Sequence, residues 1–335
     1  MAQILTQQAV YYEAGQAALP FATMTDSGDH LTFTSASKPW SRADGYAPVI
    51  APYGLLTGGA IIPAAAAGSN NVDVAALTAM MPGATGANAT TGVLVVAAAT
   101  NIAATRGTTN GYRITSITIT NAGAIAAIAG TESTAFSETR GAAGGPPFIP
   151  VDSIEIGQVR LTSTAAAVVS ASEISQINGL SQEQSGFPVN TPDYLGGKIT
   201  FAAALPLIHT GSVAKKVYVR VATPIFVEIP NAKDWVPSKE SLSIQSTAYY
   251  DGSIGSSSSS IGAATVSVAF ETGVTDALLQ KEGQNLLWMF KPNRNGTAYQ
   301  LTQGPFSIAQ TFGVKSAPTG TITIAAQQAT RNFAS

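Results

Sequence analysis

Apolar and polar residues alternate with a period of two over much of the chain, the spacing at which a strand turns successive side chains to opposite faces. Val217, Val219 and Val221 alternate with Tyr218 and Arg220, and Ile225, Val227 and Ile229 alternate with Phe226 and Glu228. Pro224 lies between these runs, where it is expected to break the strand or bend it at a sheet edge. Val266, Val268 and Phe270 alternate with Ser267, Ala269 and Glu271, and Ile322 and Ile324 with Thr321 and Thr323. Each run predicts a half-buried strand. Between Ser153 and Leu161 the apolar parity passes from Ile154 and Ile156 to Val159 and Leu161, which predicts a β-bulge at Gly157. The step from Ile114 to Ile117 and Ile119 predicts a second bulge or bend.

Helical periodicity is scarce. One helix is expected over Thr275–Gln284, with Thr275 as N-cap, Asp276 at the positive end of the dipole and Leu278 and Leu279 on one face. Gly283 suits its end. A weaker candidate runs from Asp73 to Met81 and stops at Pro82 and Gly83. The fold class read from these patterns is all-β with minor α.

The stretch Ser175 to Gly197 is polar and rich in Pro and Gly, so it reads as a linker. It separates an Ala/Gly/Thr-rich β domain, residues 1–180, from a second domain, residues 195–335, richer in Tyr, Phe, Val and Lys. One segment stands apart, Asp251–Ala264, reading DGSIGSSSSSIGAA. It lies between the strand-like SIQSTAYY and TVSVAFE and is expected to be the flexible tip of a long hairpin.

Composition sharpens this picture. Over 335 residues, 45% are hydrophobic but only 11% charged, against about 25% in ordinary soluble domains. So little charge leaves a poorly solvated surface unless Ser, Thr, Asn and Gln solvate it, and burial against further copies of the chain is the expected remedy. The net charge is −2 and no basic run is present, which argues against a grip on nucleic acid. The absence of cysteine removes disulfides and thiolate zinc sites. The opening MAQILTQQAVYYEAG lacks the charged and apolar regions of a signal peptide, and Ala-rich runs such as GVLVVAAATNIAA are too polar to span a bilayer, so no membrane partner is expected.

Candidate chemistry is thin. The two histidines are His30, in the turn-rich TDSGDH, and His209, after AAALPLI at a strand end or turn. Gly252-Ser253-Ile254-Gly255 has the wrong spacing for a nucleophile elbow. Gly-Gly-Lys-Ile-Thr at 196–200 lacks the preceding glycine of a P-loop. Asp26 and Asp29 lie close enough to share a calcium ion, but the spread of oxygen ligands around them is missing. Glu155, Glu228 and Glu271 fall on strand faces, where pairing with a cation or facing a lumen is the expected role. No catalytic, cofactor or metal residues are assigned, and the chain is expected not to be an enzyme.

From Thr265 to Ala325 the chain reads as a strand TVSVAFE, a helix TDALLQKEGQN, a strand LLWMF, a hairpin TAYQLTQGPFSIAQTFG and a closing strand in APTGTITIA. This order of elements resembles the C-terminal part of tail-tube (major tail) proteins of long-tailed phages. Upstream, FSETRGAAGGPPFIPVDSIEIGQVRLTS is also similar in style to phage tail proteins. The resemblance implies a β-sandwich or barrel flanked by a helix, with a second β-rich domain that is either tube-like or decorating. It implies a structural role: copies forming rings of three or six, stacked around a lumen through which DNA passes without specific binding. Implied partners are further copies and other tail proteins (tape measure, terminator, distal tail). The implied location is the tail of a virion assembled in the host cytoplasm. On this reading the 251–264 hairpin is an inter-ring contact made by Ile254, Gly255, Ser256, Ser260 and Ile261. The alternatives are a tail-fibre, baseplate or receptor-binding β protein, which would show repeats or a fibrous period, and a carbohydrate-active sandwich, which would cluster aromatics with carboxylates.

Overall fold

The alternating runs become strands, and the order in which they pair is set by a nested path of the chain. The computed structural model describes residues 7–66, 69–82, 90–211, 213–249, 252–270, 276–314 and 316–334, with backbone alone over 246–249 and 252–254. The path opens with β1 (Ala9–Ala18), β2 (Ala22–Thr23), β3 (Thr25–Asp26), β4 (Thr32–Thr34) and β5 (Val49–Pro52). It continues through β6 (Gly54–Gly58), β7 (Ile61–Pro63), β8 (Asn71–Val74), β9 (Leu77–Met80), β10 (Val93–Val96) and β11 (Ala99–Ala103). Then come β12 (Arg113–Thr120), β13 (Ile125–Ala129), β14 (Ser153–Leu161) and β15 (Ile174–Ser175). The return leg is β16 (Asn190–Asp193), β17 (Lys198–Phe201), β18 (Val217–Arg220), β19 (Ala222–Glu228) and β20 (Lys233–Val236). The final part holds β21 (Glu240–Tyr249), β22 (Gly252–Ile261), β23 (Ala264–Ala269), β24 (Asn285–Lys291), β25 (Tyr299–Thr311), β26 (Thr319–Ile324) and β27 (Arg331–Phe333).

Pairing closes this path on itself. β1 sits between β19 and β24 in an eight-stranded sheet, ordered β19-β1-β24-β25-β26-β23-β20 with β27 on β25. Inside that closure, β3 and β4 join β17 and β16, while β2 and β5 flank β18. Innermost, β6 to β15 form a lobe of three small sheets. Each level has its own core. The lobe buries Ile117, Ile154, Ile156 and Val159, the middle level Trp40, Phe33 and Val217, and the terminal sheet Val266, Trp288 and Ile322. The pairings therefore cross the expected boundary: β1 to β5 belong with strands after residue 190, and the lobe is an insertion between them.

The terminal sheet curls. Tyr12 of β1 and Phe270, just past β23, line one small cavity although their strands stand far apart in the sheet order. Trp235 of β20 stacks on Phe290 of β24 at 5.8 Å between ring centroids. Its other face meets the middle level through Leu195, packed with Leu287 and Leu301. The curl depends on β25, which pairs with β24 over one half and β26 over the other. The segment expected as a hairpin is thus one continuous strand. Gly304-Pro305, which reads locally as a turn, allows the crossover instead, since a Cβ on Gly304 would fall 2.1 Å from the Ala325 carbonyl oxygen.

Several local expectations hold. Val217, Val219 and Val221 are buried, as are Val266, Val268, Ile322 and Ile324. The bulge is at Gly157: Ile117 pairs with Gly157 and Thr118 with Glu155, leaving Ile156 as the extra residue. No second bulge lies in β12, whose register with β13 is continuous. Ile114, Ile117 and Ile119 can all be buried because this central strand is covered on both faces. Pro224 lies inside β19, at the sheet edge, and the break between the two valine-rich runs comes at Val221.

The helical expectations fail. Asp73 to Met81 forms β8 and β9, because alternating Val72, Val74, Leu77 and Ala79 find cross-strand partners in the lobe core. Thr275 lies outside the described residues. After it, Asp276 accepts the Leu278 amide through its side chain at 3.0 Å, and only a 3-10 turn follows at Leu279–Lys281. With Gly283 so close, the segment is too short to propagate a helix, yet Leu278 is still buried against the terminal core. Among the described residues no helix is long and apolar enough to cross a membrane.

Candidate functional site

The most unusual surface is the ribbon formed by β21 and β22. Ten consecutive pairs join Glu240↔Ile261 through Tyr249↔Gly252, a length of roughly 30 Å at about 3.3 Å per residue. The serine tract is therefore not a tip: Gly255, Ser256–Ser260 and Ile261 lie within β22, as does the backbone of Ile254. Flanking sequence explains the extension. Ser241, Ser243 and Gln245 alternate with Leu242 and Ile244, a strand pattern that enforces pairing on the serines opposite.

The base of the ribbon is fixed. Ser238 is buried and exchanges two 2.9 Å hydrogen bonds with Thr330, through the amide and hydroxyl of each. The Gly262 amide donates to the Lys239 carbonyl at 2.9 Å, and Ala264 then enters the terminal core. Beyond this base, every described side chain from Glu240 to Gln245 and from Ser256 to Ile261 is exposed. One face carries Leu242, Ile244 and Ile261, which are 75%, 78% and 42% exposed, beside Ser257 and Ser259, with exposed Glu240 opposite Ile261 at the base. The other face carries Ser241, Ser243, Gln245, Ser256, Ser258 and Ser260, all uncharged. A lone two-stranded ribbon is marginal in water, so its own contacts account for little of its order.

The terminal sheet has two further open features. Among the described residues β19 pairs only with β1, leaving an edge on which Ile225 and Val227 are exposed. At the opposite end β20 presents exposed Lys233, Asp234 and Val236. Exposed strand edges are templates for pairing unless blunted, and β20 is the more charged of the two.

The residues singled out for chemistry go elsewhere. His30 and Asp26 do form a pair, His30 Nδ1 against Asp26 Oδ2, while Asp26 Oδ1 accepts the amides of Gly28 at 2.9 Å and His30 at 3.1 Å. Partial burial opposes ionisation of Asp26, but these hydrogen bonds win and hold its carboxyl below the usual range. Asp29 caps the Leu31 and Thr32 amides instead of turning toward Asp26. The two acids thus build a turn. His209 is buried with Nε2 2.9 Å from the Ser153 carbonyl oxygen, and burial lowers its pKa. Glu228 pairs with Arg294 and Glu155 with Arg140, whereas Glu271 lies outside the described residues. Among the described residues no group of three or more His, Cys, Asp or Glu is placed to hold a metal ion.

Sequence reasoning passed over Leu242 and Ile244, whose alternation is visible but equally typical of a buried strand. Comparison of the chain with protein-family models and with curated proteins returns no match.

Proposed function

We propose that this chain is a non-enzymatic structural subunit of a phage tail tube, assembling with further copies into stacked rings. The observation that carries the reading is the ribbon: a firmly based extension, charged only at Glu240 beside its base, whose apolar face is open to solvent. Such a face is stabilised when another surface covers it. The low overall charge and the open edges of a curled β-sheet support the same reading, since a ring of identical subunits needs head-to-tail surfaces on each. In this assembly the terminal sheet forms the tube wall, edge to edge with its neighbours. The ribbon contacts the next ring through Leu242, Ile244, Gly255, Ser256, Ser260 and Ile261. The inserted lobe is carried as a decoration, and DNA passes through the lumen unbound.

Negative-stain electron microscopy of the purified chain tests this directly. Rings or tubes are expected; compact monomers at all concentrations would overturn it. Replacing Ser241–Ser260 with Asn-Gly leaves Glu240↔Ile261 as the last pair above a turn suited to hairpins. That variant should fold and fail to polymerise, and tubes of ordinary length would remove the ribbon from the contact.

A further inference from the structure

The inserted lobe joins the rest of the molecule where its two crossings lie against each other. Gly54 enters as Gln184 and Ser185 leave, so close that a Cβ on Gly54 would sit 2.4 Å from their backbone. The Leu55 amide donates to the Glu183 carbonyl, and the Ser185 amide donates back to Leu55, each at 2.8 Å. At this crossing the Glu183 side chain turns inward. Its Oε2 accepts the Glu155 amide at 2.6 Å, and its Oε1 is buried with no hydrogen-bond partner.

Three charged groups, Lys215, Glu155 and Arg140, act on its charge. From β14 comes Glu155, whose carboxylate accepts from Ser116, from Gln158 at 3.1 Å and from Arg140 Nη2 at 2.5 Å. From the segment leading into β18 comes Lys215, buried, with Nζ 3.4 Å from the Phe187 carbonyl oxygen. His209 lies on the same segment, as does Lys216, which pairs with Asp152. Ionisable groups this deeply buried are rarely retained for stability alone, because desolvation offsets most of what their pairing contributes.

We propose that Glu183 is a proton-operated latch, neutral when the lobe is seated and ionised when the junction loosens. Burial pushes its carboxyl up to about 7, and the positive charge of Lys215 only partly offsets this. The sign follows from linkage. A carboxyl whose folded pKa lies above its unfolded value adds stability in acid, and that stability is lost as pH rises from the ordinary glutamate range through about 7. His209 works in the opposite sense, since burial keeps its ring neutral and acid disfavours that. Lys215 is likewise driven toward its neutral form by burial, against the attraction of Glu183.

Amide hydrogen exchange at Leu55, Glu155, Glu183 and Ser185, corrected for intrinsic rates, tests the latch. Opening at these amides should increase about tenfold or more between about pH 5 and about pH 8. Glu183→Gln keeps the shape but cannot ionise, so its opening should be flat or reversed over that range. Lys215→Met removes the compensating cation and should move the wild-type transition to higher pH. Where Glu183→Gln does not fold, carbon NMR of the wild-type chain with the Glu183 and Glu155 side chains assigned decides, since burial raises the Glu155 carboxyl as well, and Glu183 should titrate near neutral pH. Wild-type pH dependence retained in Glu183→Gln, or the Glu183 carboxyl titrating in the ordinary range, would overturn the proposal.

Discussion

β23 and β21 carry nearly the same pattern and meet opposite fates. In β23, Val266 and Val268 alternate with Ser267 and Ala269 and are buried to within 3% of complete. In β21, Leu242 and Ile244 alternate with Ser241, Ser243 and Gln245 and are more than 70% exposed. Local propensity is the same in both, so the difference lies in what covers each strand. β23 has β26 and β20 beside it and the curled half of its own sheet above. Among the described residues β21 has only a serine-rich partner, and its apolar face stays open unless another molecule closes it.

The comparison can be broken from the buried side first. Trp288 is fully buried beneath Phe306 and Tyr12, so Trp288→Ala should destabilise the subunit by ~3–5 kcal/mol. Chemical denaturation should show it, and a loss under ~1 kcal/mol would mean the curled sheet has no common core. Next is Leu278, which remains 2% exposed although its segment is a turn. Leu278→Ala should cost ~2–4 kcal/mol, and a surface-like change would detach this turn from the sheet. The smallest effect on folding belongs to the ribbon. The double change Leu242→Ser and Ile244→Ser should alter subunit stability by no more than ~0.5 kcal/mol, yet weaken polymerisation seen by light scattering. Equal assembly by this variant would make the ribbon a passive extension.

Limited proteolysis of unassembled subunits sharpens the contrast further. Ser181, Glu183 and Leu195 are buried, so within 175–197 cutting should be confined to exposed stretches such as 177–180 and be slower than in the ribbon. This reverses the ordering that composition suggests. Pro, Gly and Gln mark the stretch as a linker, but composition carries no information about the backbone of residue 55, to which this stretch is hydrogen-bonded.

The sequence by itself determined the β class, the inward faces of the Val217–Val221, Val266–Val268 and Ile322–Ile324 strands, and the bulge at Gly157. These rest on side-chain period and on glycine's lack of a Cβ, both properties of neighbouring residues. It also showed a Ser-rich hairpin between strong strands, though not that the serines themselves would be paired. Only the tertiary structure decided which strands meet. The Glu13 carboxylate accepts the Leu287 amide across 274 positions, and no local pattern anticipates that bond. The same holds for the nested path, for β25 running straight through Gly304-Pro305, and for the convergence of Glu183, Glu155, Arg140 and Lys215. In each case the deciding term is burial against a distant segment, which outweighs turn and helix propensities of only about 1 kcal/mol per residue.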